Sequence, residues 1–210
     1  MDMRKIILIG GAPLSGKSTL ASELSKKLQI SWVSTDDIRK WMEALVRKED
    51  YPDLFYGDGL DAIAFYEKFK TPDEVFRMEN KQGDDVQKGV RAMIESFWWW
   101  DKFIIEGIAI TPAFVKQFQD AHQDIAIIPV FIVDTDRENI KMRLEKRGLW
   151  DDANTYPDYI TPLELEWTIL FNNFYQTETA KYDYEVSDIK DIANTIDQII
   201  TLFNNYEATK

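Results

Sequence analysis

Between the apolar run Lys5–Ile9 and leucines recurring at helical spacing (Leu20, Leu24, Leu28) lies Gly11-Ala12-Pro13-Leu14-Ser15-Gly16-Lys17-Ser18. This octapeptide satisfies G-x-x-x-x-G-K-[ST] at every fixed position and predicts a buried strand, a phosphate-binding loop and a helix in that order. A chance glycine-rich turn is the alternative, but it does not explain the strand before it or the helix after it. Gly11 and Gly16 let the main chain wrap closely around an anion. The N–H groups of Leu14, Ser15, Gly16 and Lys17 point inward as an anion nest, reinforced by the positive end of the helix dipole. Lys17 is placed to reach the β- and γ-phosphates of a nucleoside triphosphate, Ser18 to hold Mg²⁺, and Thr19 to lie near the α-phosphate. ATP with Mg²⁺ is the ligand this implies. No Asn-Lys-x-Asp guanine signature is present.

The rest of the chain alternates strand and helix. Strands are predicted at Ile30–Ser34, at Phe103–Ile105 running into Glu106-Gly107, at Ala126–Val133 with Pro129 making its start uncertain, and at Tyr184–Val186. Helices are predicted at Asp36–Arg47, Asp58–Lys70, Asp73–Ser96 and Leu163–Ala180, and along the stripe Ile189, Ile192, Ile196, Ile199, Phe203. The expected fold is α/β: a P-loop NTPase fold with a five-stranded, mostly parallel sheet covered by helices on both faces. Residues 1–210 are read as a single domain, with 48–100 as a helical acceptor-binding insertion and 137–160 as a lid region. Ligands in such folds bind beyond the carboxyl ends of the strands, so residues at those ends are candidates for one crevice.

Charge and composition narrow the partners. The formal net charge of −12 disfavours non-specific binding to nucleic acid or anionic membrane, while leaving room for a local phosphate site. No apolar run approaches the roughly 20 residues that span a bilayer, and no signal-peptide pattern opens the chain. The chain has no cysteine, which excludes disulfides and thiolate metal sites and fits a cytoplasmic setting.

Two acidic strand ends suggest chemistry. Ser34-Thr35-Asp36-Asp37 ends the second strand and opens a helix. One carboxylate, Asp36 by preference, would take the proton of an attacking hydroxyl, and Asp37 would orient the acceptor. Helix capping by Thr35 or Asp36 is the competing use, and the two are compatible. Arg39, one turn on, would clamp an anionic group on the acceptor, or is simply a solvated helix residue. Glu106-Gly107 would contact the acceptor, or Mg²⁺ through water; a plain strand-end turn is the alternative.

Asp134-Thr135-Asp136 closes the fourth strand, and Arg137, Lys141, Arg143, Lys146 and Arg147 follow. Arg143 and Arg147 share a helix face. As a closing lid they would stabilise charge on the transferred phosphoryl group, Arg143 catalytically and Arg147 on the nucleotide. A solvated basic face paired with Glu138 and Glu145 is the alternative. The lid is read onward through Gly148–Asp152 to Pro157. Trp167, Phe171, Phe174 and Tyr175, and Trp98-Trp99-Trp100, are read as packing, and His122 as solvated and without a role.

Taken together, these residues resemble the P-loop small-molecule kinase superfamily that includes adenylate, shikimate and gluconate kinases. The closest resemblance is to the 2-phosphoglycerate kinase-like group, and the loop and second-strand aspartate are also similar to zeta-toxin-type phosphotransferases. The resemblance covers roughly residues 5 to 150. It rests on Gly11–Thr19, Ser34-Thr35-Asp36 with Arg39, Gln82–Ile94, and Ile105-Glu106-Gly107 with Pro112. It implies ATP, Mg²⁺ and transfer to a hydroxyl or phosphate of a small metabolite, with Asp36 and Arg39 at the acceptor and Arg143 and Arg147 on the lid. Ile108-Ala109-Ile110 follows Glu106-Gly107, where the group tends to carry a histidine and nucleoside monophosphate kinases a Pro-Arg pair. A nucleotide kinase, or a nucleotide-dependent regulatory switch with no small acceptor, are the competing functions.

Overall fold

The computed structural model describes residues 3–96, 100–147 and 156–206. Five strands, β1 (Arg4–Gly11), β2 (Ser31–Ser34), β3 (Lys102–Glu106), β4 (Ile125–Val133) and β5 (Val186–Asp188), form one sheet in the order β2-β3-β1-β4-β5. Every pairing is parallel. The central strand β1 is wholly buried over Ile6–Ile9, as a strand covered on both faces must be.

Side-chain alternation divides this core in two. Ile6, Leu8, Phe103, Ile105 and Phe131 face a layer containing Val90, Phe118 and Tyr175. These come from α4 (Pro72–Ser96), α5 (Pro112–Ala121) and α7 (Ile160–Lys181). Ile7, Ile9, Ile104, Val130 and Ile132 face Leu20, Leu24, Ile196 and Phe203, from α1 (Lys17–Leu28) and α8 (Ile192–Asn205). Each fully buried Ile or Phe stabilises the fold by about 1.5–3 kcal/mol relative to exposure. A one-residue slip in register would turn every one of these side chains to the wrong layer.

Several boundaries differ from the sequence reading for local reasons. Pro129 sits inside β4, not at its start; β5 pairs only from Phe131 onward, so the sheet edge beside Pro129 asks for no donor. The last strand begins at Val186, because Tyr184 is held in a turn by Thr179 and rests its ring on Phe131. Of the segment 48–100, residues Pro52–Phe55 form a 3₁₀ turn, and α3 runs only over Ala62–Lys68. It starts there because the Asp61 carboxylate accepts the N–H of Ala64 at 2.8 Å. Helix α5 escaped the reading, although Thr111 caps it ahead of Pro112 and Phe114, Val115 and Phe118 carry the spacing. His122 is partly solvated: its ring stacks on Phe118 and bonds Glu95 at 3.0 Å at the surface. Trp100 packs edge-on against Phe103, while Trp98, Trp99 and the Gly148–Asp152 part of the lid reading lie outside the described residues. Among the described residues no helix is long and apolar enough to cross a membrane.

Candidate active site

The carboxyl ends of β1, β2 and β3 converge on Glu106, which registers with Ile9 on one side and Ser34 on the other. A cleft of about 600 Å³ opens there. Its floor and walls include Leu14, Lys17, Ser18, Asp36, Arg39, Glu106, Gly107 and Arg147, which sequence reasoning selected from four separate stretches of chain.

The loop after β1 is built for a close approach. A Cβ on Gly11 (φ 152°) would meet the carbonyl oxygen of Ile132 at 2.3 Å, so glycine alone fits. Leu14 holds φ 61°, uncommon for a non-glycine residue, and packs with Ile140, Leu144 and Leu165. That contact ties the loop to the arginine helix α6 (Arg137–Arg147). Gly16 caps α1 without any side-chain bond, and no acid of its own stands in the first turn, so the positive end of the helix dipole faces the cleft. The buried Ser15 hydroxyl beside it has no hydrogen-bond partner among the described residues. Thr19 is exposed on α1 outside the cleft lining.

Lys17 is 7% exposed, and its Nζ donates to the Ala12 carbonyl at 2.7 Å. Burial pulls its pKa down to about 8, against the opposing pull of Glu106 and Asp36. The Ser18 hydroxyl donates to Glu106 Oε1 at 2.9 Å. Burial raises the Glu106 carboxyl above its ordinary range, with Lys17 working the other way. Among the described residues no group of three His, Cys, Asp or Glu could hold a metal. Ser18 and Glu106 nevertheless offer hard oxygen atoms side by side, which suits a cation that takes its other ligands from phosphate and water, as Mg²⁺ does.

The second-strand end separates two neighbouring aspartates. The cap of α2 (Thr35–Leu45) is Ser34, not Thr35 or Asp36, and it forms a capping box with Asp37. The Asp37 carboxylate accepts the Ser34 hydroxyl at 2.7 Å and is absent from the cleft lining. Asp36 stands at the cleft with its carboxylate largely exposed, 3.7 Å from Arg39. Thr35 is buried under Gly107, where φ is 152° and a Cβ would fall 1.8 Å from Thr35 Oγ1. Gly107→Ala is therefore expected to cost about 1–3 kcal/mol, measurable as a lower denaturant midpoint; an unchanged midpoint would contradict the packing described.

The two arginines expected on a lid part company. Arg147 lines the cleft and holds Glu164 through both carboxylate oxygens at 2.9 Å. Arg143 pairs instead with the buried Asp134 at the end of β4 and is absent from the cleft lining. Lys40, Glu43, Tyr56, Glu79, Gln82, Glu164 and Trp167 also line the cleft and were not picked out as site residues. Glu79 and Gln82 carried a usable signal: polar residues one turn apart on the face of α4 that buries Val75 and Val86. Trp167 is both packing and wall, edge-on to Phe171.

A phosphate loop closing the central strand of an all-parallel β2-β3-β1-β4-β5 sheet defines the P-loop kinase fold. Two solved structures share it at a TM-score of 0.50: deoxyadenosine kinase from M. mycoides (19% identical, 96% of this chain and 100% of that one) and shikimate kinase from Bacteroides thetaiotaomicron (15%, 97% and 99%). In sequence the chain is similar to curated proteins named 2-phosphoglycerate kinase. That of Methanothermobacter thermautotrophicus is 27% identical over 205 residues, 93% of this chain and 64% of the relative. That of Thermococcus kodakarensis is 33% identical over 129 residues, 60% and 44%. The chain thus spans less than two thirds of the length of these relatives. No family model matches it.

Proposed function

We propose that this protein is an ATP-dependent kinase that transfers the γ-phosphoryl group to a hydroxyl of a small acceptor. The observation that carries the reading is the buried Lys17 beside an open helix N-terminus, facing a cleft whose far wall bears Asp36. The similarity to kinases that act on 2-phosphoglycerate, by name, supports it. A regulatory switch has no use for a carboxylate at the acceptor side.

In this reading the loop amides and Lys17 hold the β- and γ-phosphates, and the unpartnered Ser15 hydroxyl is a further donor to them. Ser18 and Glu106 would hold Mg²⁺, which supplies charge neutralisation at the phosphates. The acceptor oxygen bonds to the γ-phosphorus while the bond from that phosphorus to the β,γ-bridging oxygen breaks. ADP leaves with the electron pair, and the acceptor proton passes to the Asp36 carboxylate. Asp37 is assigned to the helix cap. Arg147 is the lid arginine at the reaction, and Arg143 anchors α6 through Asp134. Residues 48–100 form the acceptor wall, 137–160 the lid, and a cytoplasmic setting suits the cysteine-free chain.

The reading is tested by ADP release in the presence of Mg²⁺ and a panel of small hydroxyl compounds. Acceptor-stimulated turnover supports it; ATP consumption that no acceptor accelerates would favour the switch. Protonation of Lys17 gives a second check. Phosphate favours the ammonium form, and the free group loses its proton near pH 8. ATP affinity is therefore expected to be full at pH 7 and to weaken as pH rises past about 8. Calorimetry across that window would detect the change, and a flat profile to pH 10, roughly the ordinary lysine range, would contradict the burial of Lys17.

A further inference from the structure

Away from the phosphate loop, the cleft wall holds hydrogen-bond donors that the described fold does not use. Arg39 comes from α2, Gln82 from α4 and Trp167 from α7, and all three line the cleft. Arg39 is held at its far end. Its Nη1 donates to Glu43 at 3.1 Å, and its Nη2 lies 3.7 Å from Asp36, an ion pair longer than a hydrogen bond. Its Nε–H is buried and has no partner among the described residues. The guanidinium edge formed by Nε and Nη2 therefore carries no hydrogen bond, and its two N–H groups match the two oxygens of a carboxylate or phosphate. The side chain is 27% exposed, so a turn about its flexible stem presents that edge to the cleft. Trp167 repeats the pattern: its Nε1–H is buried without a partner among the described residues. It acts on the Tyr66 hydroxyl without bonding it, and that hydroxyl donates to Glu164 at 3.4 Å. Gln82 is buried and spends one amide N–H on the Leu54 carbonyl at 2.7 Å, which leaves it a second. Glu79, on the same wall, has its carboxyl raised by burial, with the Tyr56 bond and Arg39 acting the other way. An arriving anion favours its neutral form further.

Buried donors without partners are uncommon and costly in a folded protein. Two of them in one cleft wall, with a spare amide N–H beside them, point to an acceptor atom that arrives with a ligand. We propose that Arg39, Gln82 and Trp167 form an oxyanion subsite that grips a carboxylate or phosphate already present on the phosphoryl acceptor, and that Gln82 and Trp167 set its specificity. The Arg39 edge takes two oxygens of the group, and the indole and amide N–H groups take what remains. Asp36 stands beside Arg39, so a molecule gripped there brings a free hydroxyl to the base. This rests on the kinase reading and deepens it, because it gives α4 and α7 a direct part in choosing the acceptor.

The test reads nucleotide binding and acceptor preference separately. Calorimetry of the full chain with a non-hydrolysable ATP analogue and Mg²⁺ comes first, and absence of binding sinks the kinase reading itself. ADP release is then compared for glycerol, glycerate, glycerol phosphate and 2-phosphoglycerate, which share hydroxyl groups and differ in their anions. The subsite requires kcat/KM for at least one anionic probe to exceed that for glycerol by roughly tenfold or more, the scale of one charge-assisted hydrogen bond. A lead by glycerate assigns the Arg39 edge to a carboxylate, and a lead by glycerol phosphate assigns it to a phosphate. A panel in which no anionic probe is ahead of glycerol overturns the subsite, and turnover led by glycerol does so while leaving the kinase reading standing. Trp167→Phe keeps the ring and removes the N–H. Gln82→Met keeps the length and removes the amide, and Arg39→Lys keeps the charge and removes the fork. Each is expected to lower the preference for the favoured anionic probe over glycerol by about tenfold, with ATP-analogue affinity retained. A packing role alone would lower turnover with both probes together and leave their ratio where it was. Thermal unfolding confirms that each variant is folded, and if every folded variant keeps the parent's ratio, the proposal falls.

Discussion

Replacing Lys17 by alanine is expected to lower acceptor-dependent ATP turnover by about 10²–10³-fold, the scale of removing one preorganised donor from a developing charge. The effect should be this large because of how the ammonium is stored. In the free protein it is buried and tied to the Ala12 carbonyl at 2.7 Å, with its pKa lowered to about 8. A buried charge held on one neutral acceptor gains strongly when phosphate arrives, and the gain grows as charge shifts toward the β,γ-bridging oxygen. Alanine removes that gain while relieving the desolvation cost, so the variant should unfold no more easily than the parent. Unchanged stability with collapsed turnover is the expected signature, measured by thermal unfolding beside steady-state ADP release. A variant that retained turnover would place the phosphates elsewhere.

Asp36→Asn is the second large effect, expected to cut transfer by about 10²–10⁴-fold, the range of general acid–base contributions. Nucleotide binding should survive, because the phosphate loop and Asp36 stand on different strands' ends and share no hydrogen bond. Single-turnover kinetics separate the two quantities: the burst of product vanishes while the ATP analogue still titrates. The neighbouring Asp37 makes the contrast instructive. Its carboxylate closes a capping box with Ser34 and stays out of the cleft, so the two adjacent acids divide capping from the cleft. Full activity in Asp36→Asn would mean that the base is misassigned.

Strands β1, β3 and β4 were legible because they are apolar runs leading into glycine or acid, and the octapeptide at Gly11 dictates both its neighbours; the short, half-exposed β2 and β5 carry a weaker pattern. Leu14, Lys17, Asp36, Arg39, Glu106 and Arg147 could be picked out because they lie at strand ends or on a basic helix that follows one. What was not read was which member of a pair faces inward. Asp36 and Asp37 are the same residue type side by side; the capping box from Ser34 to Asp37, whose three-residue spacing was present in the sequence but was not used, separates them. Arg143 and Arg147 share a helix face, yet the buried Asp134 captures the first and Glu164 the second. The cleft wall away from the phosphate loop was hardest. Glu79 and Tyr56 come from a helix and a turn 23 residues apart, and nothing local in either stretch signals that they meet.

The central claim is that main-chain amides and Lys17 hold a triphosphate at the end of β1. Calorimetric titration of the full chain with a non-hydrolysable ATP analogue and Mg²⁺ tests it most directly. Saturable binding with a Kd in roughly the micromolar range, weakened sharply in Lys17→Ala, is the predicted result. Absence of saturable heat in the parent protein, or equal affinity in the variant, would contradict the account.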